Sequence, residues 1–217
     1  MTSDLFEAVT DVQPTREAMA DGAVLLRGFT LAPENDVIAA LRGIVAEAPF
    51  RRMFTPGGHQ MSVAMTNCGS AGWVTDRRGY RYDGLDPESG KPWPLMPPAF
   101  RELARQAAAE GGFAEFAPDA CLINRYTPGA RMSLHQDKDE QDFAAPIVSV
   151  SLGLPATFLF GGPKRADKPR RYRLAHGDVV VWGGPSRLFF HGVAPLADGE
   201  HVQMGRQRIN LTFRKAR

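Results

Sequence analysis

From residue 120 onward this chain is punctuated so closely by turn-forming residues that only short strands fit between the breaks. Strand-like runs recur at 120–126, 132–138, 146–152, 156–160, 170–174, 178–182, 187–193 and 207–214. Short strands at this spacing favour two packed sheets, a jelly roll, over one open sheet. Upstream, Ala23–Gly28 reads as a strand, and Asn35 is placed to cap a helix whose apolar positions Val37, Ile38, Leu41, Ile44 and Val45 follow helical spacing. A second helix opens at Pro97-Pro98 and closes at Gly111-Gly112, with Phe100, Leu103, Ala104, Ala107 and Ala108 facing inward. The fold class that follows is α+β, mostly β: a jelly-roll core over 120–214 buttressed by N-terminal helices. With 217 residues and 43% hydrophobic content, the chain suits one domain spanning 1–217.

The strands carry chemistry at particular places. In Ser133-Leu134-His135-Gln136-Asp137-Lys138-Asp139, residues two apart share a strand face, so His135 and Asp137 can reach one ion and Asp139 falls on the same side. With His191 downstream they form two imidazoles and one carboxylate, the facial set of non-haem Fe(II) sites, which leaves positions for an α-keto acid and O₂. Taken alone, such a spacing more often marks ordinary polar histidines. The last run strengthens the case, because Arg208, Asn210, Thr212 and Arg214 alternate with Ile209, Leu211 and Phe213. Two guanidiniums with an amide and a hydroxyl between them suit a dicarboxylate. On 120–126, Asn124 and Tyr126 share a face and add further donors. His59, His176 and His201 sit in turns or polar loops and read as non-ligands.

Charge is uneven behind a net of +2. Residues 1–50 hold eight acidic side chains against three arginines, a net of −5, whereas 51–82 hold five arginines against Asp76, a net of +4. Residues 164–173 hold six basic side chains against Asp167, a net of +5. The 51–82 stretch is broken by glycines, reads as irregular and lid-like, and sets Trp73, Tyr80 and Tyr82 beside its arginines. Basic charge with exposed aromatics is a pattern for gripping a phosphate backbone and stacking bases, and single-stranded nucleic acid is the natural partner. A solvated charged face with aromatics turned inward is the competing reading.

In order along the chain, Asn124-x-Tyr126, His135-x-Asp137-x-Asp139, His191 and Arg208-x-Asn210-x-Thr212-x-Arg214 resemble the AlkB family of Fe(II)/2-oxoglutarate-dependent DNA-alkylation-repair dioxygenases. The resemblance extends through Met61–Gly69, Asp119–Tyr126 and His176–Gly184, and covers nearly the whole chain. It implies a double-stranded β-helix with a nucleotide-recognition lid over 50–85. It also implies Fe(II) on His135, Asp137 and His191, with O₂ as co-reactant and 2-oxoglutarate held by Asn124, Tyr126, Arg208, Asn210 and Arg214. Of the two guanidiniums, Arg208 is assigned to the distal carboxylate and Arg214 to the metal-proximal one. Trp73, Tyr80, Arg81, Tyr82, Asp139 and Arg165 fall on the substrate side. The activity implied is oxidative demethylation of 1-methyladenine and 3-methylcytosine in DNA, preferably single-stranded or locally opened, or in RNA, releasing formaldehyde, succinate and CO₂. Phe190 departs from the pattern, standing where the family carries Tyr.

Other readings stay open at this point: the same chemistry on RNA or a protein side chain, a metal-binding jelly roll without catalysis, or a nucleic-acid-binding module. The chain has no apolar run of about eighteen residues, so no membrane span is expected. Met1–Glu7 lacks a basic region followed by an apolar one, so the expected location is cytoplasmic. Nothing in the sequence demands a partner chain, and the expected state is a monomer. Cys68 and Cys121 read as buried apolar residues rather than a metal or disulfide pair.

Overall fold

A computed structural model describes residues 15–217; Met1–Glu7 therefore lies outside the described residues. In chain order the elements are β1 (Thr15–Ala20), β2 (Ala23–Arg27), α1 (Glu34–Glu47), β3 (Ala64–Gly69), β4 (Gly72–Asp76), β5 (Gly79–Asp83) and α2 (Pro98–Glu110). They continue with β6 (Ala120–Tyr126), β7 (Met132–His135), β8 (Ile147–Gly153), β9 (Ala156–Phe160), β10 (Arg170–Leu174), β11 (Val179–Trp182), a 3₁₀ turn (Gly184–Ser186), β12 (His191–Val193) and β13 (Arg208–Arg214). One sheet runs β1-β2-β11-β8-β13-β6-β3, a second runs β10-β9-β12-β7, and β4 and β5 form a separate hairpin.

Two apolar layers explain this arrangement. Odd-numbered residues of β6 and β13, such as Ile123, Ile209, Leu211 and Phe213, pack outward with Val148 and Val150 of β8 against the inner stripes of α1 and α2. Ala23, Leu25, Leu122, Ile147, Val180 and Trp182 point the other way and meet Phe158, Phe160, Tyr172 and Leu174 of the smaller sheet. The central strands are thus buried on both faces, and β8 and β13 have no exposed residue. On β13 the face turned toward the smaller sheet is polar, with Asn210 opposite Ser151 and Thr212 opposite Ser149 across the ladder. An edge strand wetting its polar face is excluded, because β8 and β6 flank β13.

Several expected boundaries move. Pro33, not Asn35, precedes the first turn of α1 without a side-chain cap; Glu34 and Asp36 within that turn complement the helix dipole instead. The stretch 51–82, expected to be irregular, supplies the fully buried β3 and the β4–β5 hairpin. Its glycines punctuate strands rather than a coil, and Gly69 takes a positive φ of 116° between β3 and β4. Strand β7 stops at His135 instead of reaching 138, and β12 shrinks to three residues because 187–190 continue from the 3₁₀ turn at Gly184–Ser186 as a turn and irregular backbone. Both cysteines are free and buried. No helix among the described residues is long and apolar enough to cross a membrane.

Phe100 anchors the helical layer, fully buried and edge-on to Phe213 at 5.7 Å. Phe100→Ala is expected to lower unfolding free energy by about 3–5 kcal/mol in urea titration. A loss below about 1 kcal/mol would show that α2 does not brace β13.

Candidate active site

Strand pairing brings the two imidazoles together: His191 on β12 stands directly across the ladder from His135 on β7, and their ring centroids lie 4.4 Å apart. Gly192 lets the strands approach this closely, since a Cβ there would sit 2.7 Å from the carbonyl oxygen of Met132. Each ring is locked in one tautomer, because Nδ1 faces a carbonyl that can only accept: Ser133 O at 2.8 Å from His135 and Phe189 O at 3.0 Å from His191. Nδ1–H therefore donates, and both Nε2 lone pairs turn inward, as metal ligation requires. Asp137 completes the group, with its two carboxylate oxygens each 3.6 Å from one of those Nε2 atoms. Among the described residues, these three are the one cluster of His, Cys, Asp or Glu side chains close enough to share an ion.

Asp137 does not arrive by strand alternation, since β7 has already ended. Arg214 holds it, with Nη2 donating to Oδ2 at 2.6 Å and Nε at 3.1 Å. Burial works against ionisation of Asp137, but Arg214 and both imidazoles hold its carboxyl well below the usual range. Arg214 in turn is raised well above its usual value, as Asp137, Tyr82 and Glu140 outweigh the cost of burial. Desolvation and then His191 push His135 down to about 4, so its imidazole is neutral at pH 7.

Behind this cluster lies a small cavity of about 50 Å³, lined by Asn124, Tyr126, Ser149, Trp182, Arg208, Asn210, Thr212 and Arg214. Arg208 is 1% exposed. Its Nη2 donates to Ser151 Oγ at 2.9 Å and its guanidinium lies 5.1 Å over the Tyr126 ring, yet Nε and Nη1 have no hydrogen-bond partner among the described residues. Burial lowers its pKa, with Tyr126 opposing. A buried cation with idle donors is costly unless an anion meets it, so the cavity suits a carboxylate. Asn210 is engaged by Ser149, Val150 and Thr212, so it braces the strand face rather than presenting free groups.

On the other side a wider cleft of about 410 Å³ opens to solvent, and His135, Asp137 and Arg214 line both spaces. Trp73 and Tyr80 stack there at 5.6 Å and 19°, and Trp73 Nε1 donates to Asp139 at 2.8 Å. Arg165 and Phe190 complete the wall, with the guanidinium 5.8 Å over the ring. Two expected substrate-side residues do not line it. Arg81 is gripped by both oxygens of Asp76 at 3.0 Å, and Tyr82 buries its hydroxyl on Glu140 at 2.6 Å. Much of the 51–82 basic charge is similarly engaged: Arg51 pairs with Asp86 and Glu88, and Arg78 with Asp76. The positive charge that lines the cleft without an ion pair among the described residues is that of Lys138 and of Arg165, the latter on the β9–β10 hairpin.

Sequence reasoning missed Glu140 and Arg187, both buried behind Asp137. The one available signal was a lone charge set in the apolar run Arg187-Leu188-Phe189-Phe190. His176 and His201 stack on each other at 4.3 Å beside Glu34, away from the cluster, as non-ligands.

The model of the 2OG-Fe(II) oxygenase superfamily matches residues 22–214. The chain is 56% identical to the alpha-ketoglutarate-dependent dioxygenase AlkB of Escherichia coli (strain K12), covering 98% of this chain and 97% of that protein. It is 46% identical to the alpha-ketoglutarate-dependent dioxygenase AlkB homolog of Caulobacter vibrioides over 93% of each. Among solved structures, OsALKBH1 superposes with a TM-score of 0.81 at 29% identity, covering 93% of this chain and all of that one.

Two outcomes follow from this geometry. The folded pKa of His135 lies below the unfolded value near 6.5, so the unfolded chain binds more protons in between. The stability it contributes is present above pH 6.5 and is lost as pH falls toward 4; urea unfolding of metal-free protein should show this loss reduced in His135→Gln, and equal slopes would contradict it. Gly192→Ala should force β12 off β7 and weaken Co(II) binding by titration, with unchanged affinity contradicting the register argument.

Proposed function

Because the chain belongs to the 2OG-Fe(II) oxygenase superfamily and, within it, to the AlkB dioxygenases, we propose residue roles for a reaction whose class follows from that membership. The protein is an Fe(II)- and 2-oxoglutarate-dependent dioxygenase that oxidatively dealkylates nucleic-acid bases, with O₂ as co-reactant. His135, Asp137 and His191 hold the iron, and Arg208 holds the far carboxylate of 2-oxoglutarate with Asn124 and Tyr126 beside it. The observation that carries this reading is Arg208, a guanidinium 1% exposed with two idle nitrogens, facing the cavity behind a three-ligand cluster.

Iron with its co-substrate supplies the oxidation of an N-methyl carbon, coupled to conversion of 2-oxoglutarate to succinate and CO₂. The chain supplies position. Trp73 and Tyr80 provide stacked faces for a base turned out of its strand, and Asp139, whose second oxygen is free of Trp73, faces it with negative charge. A base methylated as in 1-methyladenine or 3-methylcytosine is cationic, so aromatic faces and a carboxylate favour it over the neutral parent. Arg165 and its hairpin neighbours take the flanking phosphates. Phe158 and Trp182 close the floor of the inner cavity and keep water from the iron side. The hydroxylated methyl then leaves as formaldehyde, restoring the base.

The base must leave its stack to enter a cleft this deep, so single-stranded DNA costs less to bind than duplex, with RNA as the alternative substrate. Action as a monomer is part of this proposal. Residues 50–85 serve as the recognition lid, through the β4–β5 hairpin, over a catalytic core at 120–214.

A 1-methyladenine oligonucleotide should show a higher kcat/KM single-stranded than in duplex; equal values would remove the strand preference. Arg208→Met should raise the KM for 2-oxoglutarate roughly ten- to hundredfold. An unchanged KM would take Arg208 out of the co-substrate site.

A further inference from the structure

Asp137, Asp139 and Glu140 lie on the stretch 136–146, which links β7 to β8 without regular structure. A strand ladder fixes backbone by its own hydrogen bonds, whereas among the described residues the backbone bond of this stretch, from Gln141 N–H to the Ala216 carbonyl oxygen at 3.2 Å, lies four residues past Asp137. One side chain takes the ladder's place. Arg187, 3% exposed, donates from Nη1 to the carbonyl oxygen of Asp137 at 2.8 Å, from Nη2 to Glu140 Oε2 at 3.0 Å and from Nε to the carbonyl oxygen of Ala145 at 3.0 Å. Its guanidinium also lies 5.3 Å over the Phe143 ring. A planar fork with five donors is suited to pinning several acceptors at once, which Lys is not.

Glu140 passes the constraint on. Its other oxygen accepts the Tyr82 hydroxyl at 2.6 Å and lies 3.4 Å from Arg214 Nε, while Arg214 Nη1 lies 3.3 Å from the Tyr82 hydroxyl. The β5 hairpin strand that presents Tyr80 to the cleft is thereby joined, through Tyr82, Glu140 and Arg214, to the carboxylate of Asp137. Burial, with Glu140 adding to it against Arg214, pushes the Tyr82 hydroxyl well above its usual pKa, so it stays a proton donor.

Resting on the metal and base sites proposed above, we propose that Arg187 and Glu140 are a positioning pair. They hold Asp137 in place to ligate the metal and tie the base-stacking hairpin to that ligand. Neither touches the reacting atoms: both lie outside the residues lining the two cavities. A merely structural pair would matter only through stability, and the two roles separate in a double variant. Replacing both members of a buried ion pair by apolar residues of similar size is often neutral for stability, whereas removing one leaves an uncompensated charge.

The test uses the full chain and Co(II) as the probe, titrated by visible absorption without turnover, alongside thermal melting. Arg187→Met/Glu140→Met is expected to melt within a few degrees of the parent, yet to bind Co(II) about ten- to hundredfold more weakly, the loss usual for partners that orient a metal ligand. It should also show a raised KM for the methylated oligonucleotide at saturating Fe(II). Parent-like Co(II) affinity in the double variant would overturn the pair while leaving the metal site intact; a parent protein that binds no Co(II) would overturn the metal site and the pair with it. Should the double variant fail to fold, Glu140→Gln carries the same test, since it keeps the volume and removes the charge that Arg187, Tyr82 and Arg214 share. Its melting temperature should fall, since the Arg187 charge is left uncompensated, so Co(II) is titrated well below that transition, where the variant is folded; its affinity should still fall about tenfold, and parent-like affinity would again overturn the pair.

Discussion

The bond between Arg214 and Asp137 is the contact on which the site depends. Arg214 ends β13 in the larger sheet, and Asp137 stands two residues beyond β7 in the smaller one, so the 2.6 Å contact joins the two sheets where the roll opens. Both side chains are nearly excluded from water. Isolated charges at such depth would each cost several kcal/mol, and the surroundings balance them: Arg187 and Arg214 stand against Asp137 and Glu140. Breaking either pair by removing one partner costs about 3–5 kcal/mol, so Asp137 is held in place although it lies off the strand.

That bond also divides the labour of the two arginines on β13. Arg214 is committed to Asp137, Tyr82 and Glu140, whereas Arg208, six residues earlier on the same face, keeps two nitrogens free at the far end of the inner cavity. The strand thus presents a cation paired beside the metal cluster and a cation with idle donors away from it. The Asn210–Thr212–Ser149 hydrogen bonds between them hold a polar strip in the sheet interior without orphaned amides on Asn210. The outer cleft is built separately, with the Trp73–Tyr80 stack and Asp139 linked by one indole hydrogen bond.

Much of this was legible in the sequence where local pattern decides structure. The strands at 120–126, 156–160 and 170–174 fall where alternation and turn residues place them, and the unbroken alternation of 208–214 marks a polar face that proves to be interior. The histidine pair was legible in type, though not that β7–β12 pairing sets His191 opposite His135. Tertiary contacts governed the rest. Asp137 lies off the strand because Arg187 and Arg214 hold it, and those contacts come from residues 50 and 77 positions away. Strand β3 hid in a glycine-rich stretch because, buried on both faces, it shows no alternation. Glu140 and Arg187 left almost no local trace, since a buried ion pair is recognisable only when its partner is known. The apparent basic lid was overestimated for the same reason: Asp83, Asp86 and Glu88, just beyond the counted stretch, pair with arginines that a charge count leaves free.

The central claim is that one chain assembles an iron site, a carboxylate-holding cavity and a base cleft into a single dealkylating centre. A single-turnover experiment tests it most directly: protein loaded anaerobically with Fe(II), 2-oxoglutarate and a single-stranded 1-methyladenine oligonucleotide is exposed to O₂, and succinate and restored adenine are counted by mass spectrometry. The account predicts one succinate and one restored base per loaded protein. Succinate without restored base would contradict the assignment of the outer cleft, and neither product from fully loaded protein would contradict the account as a whole.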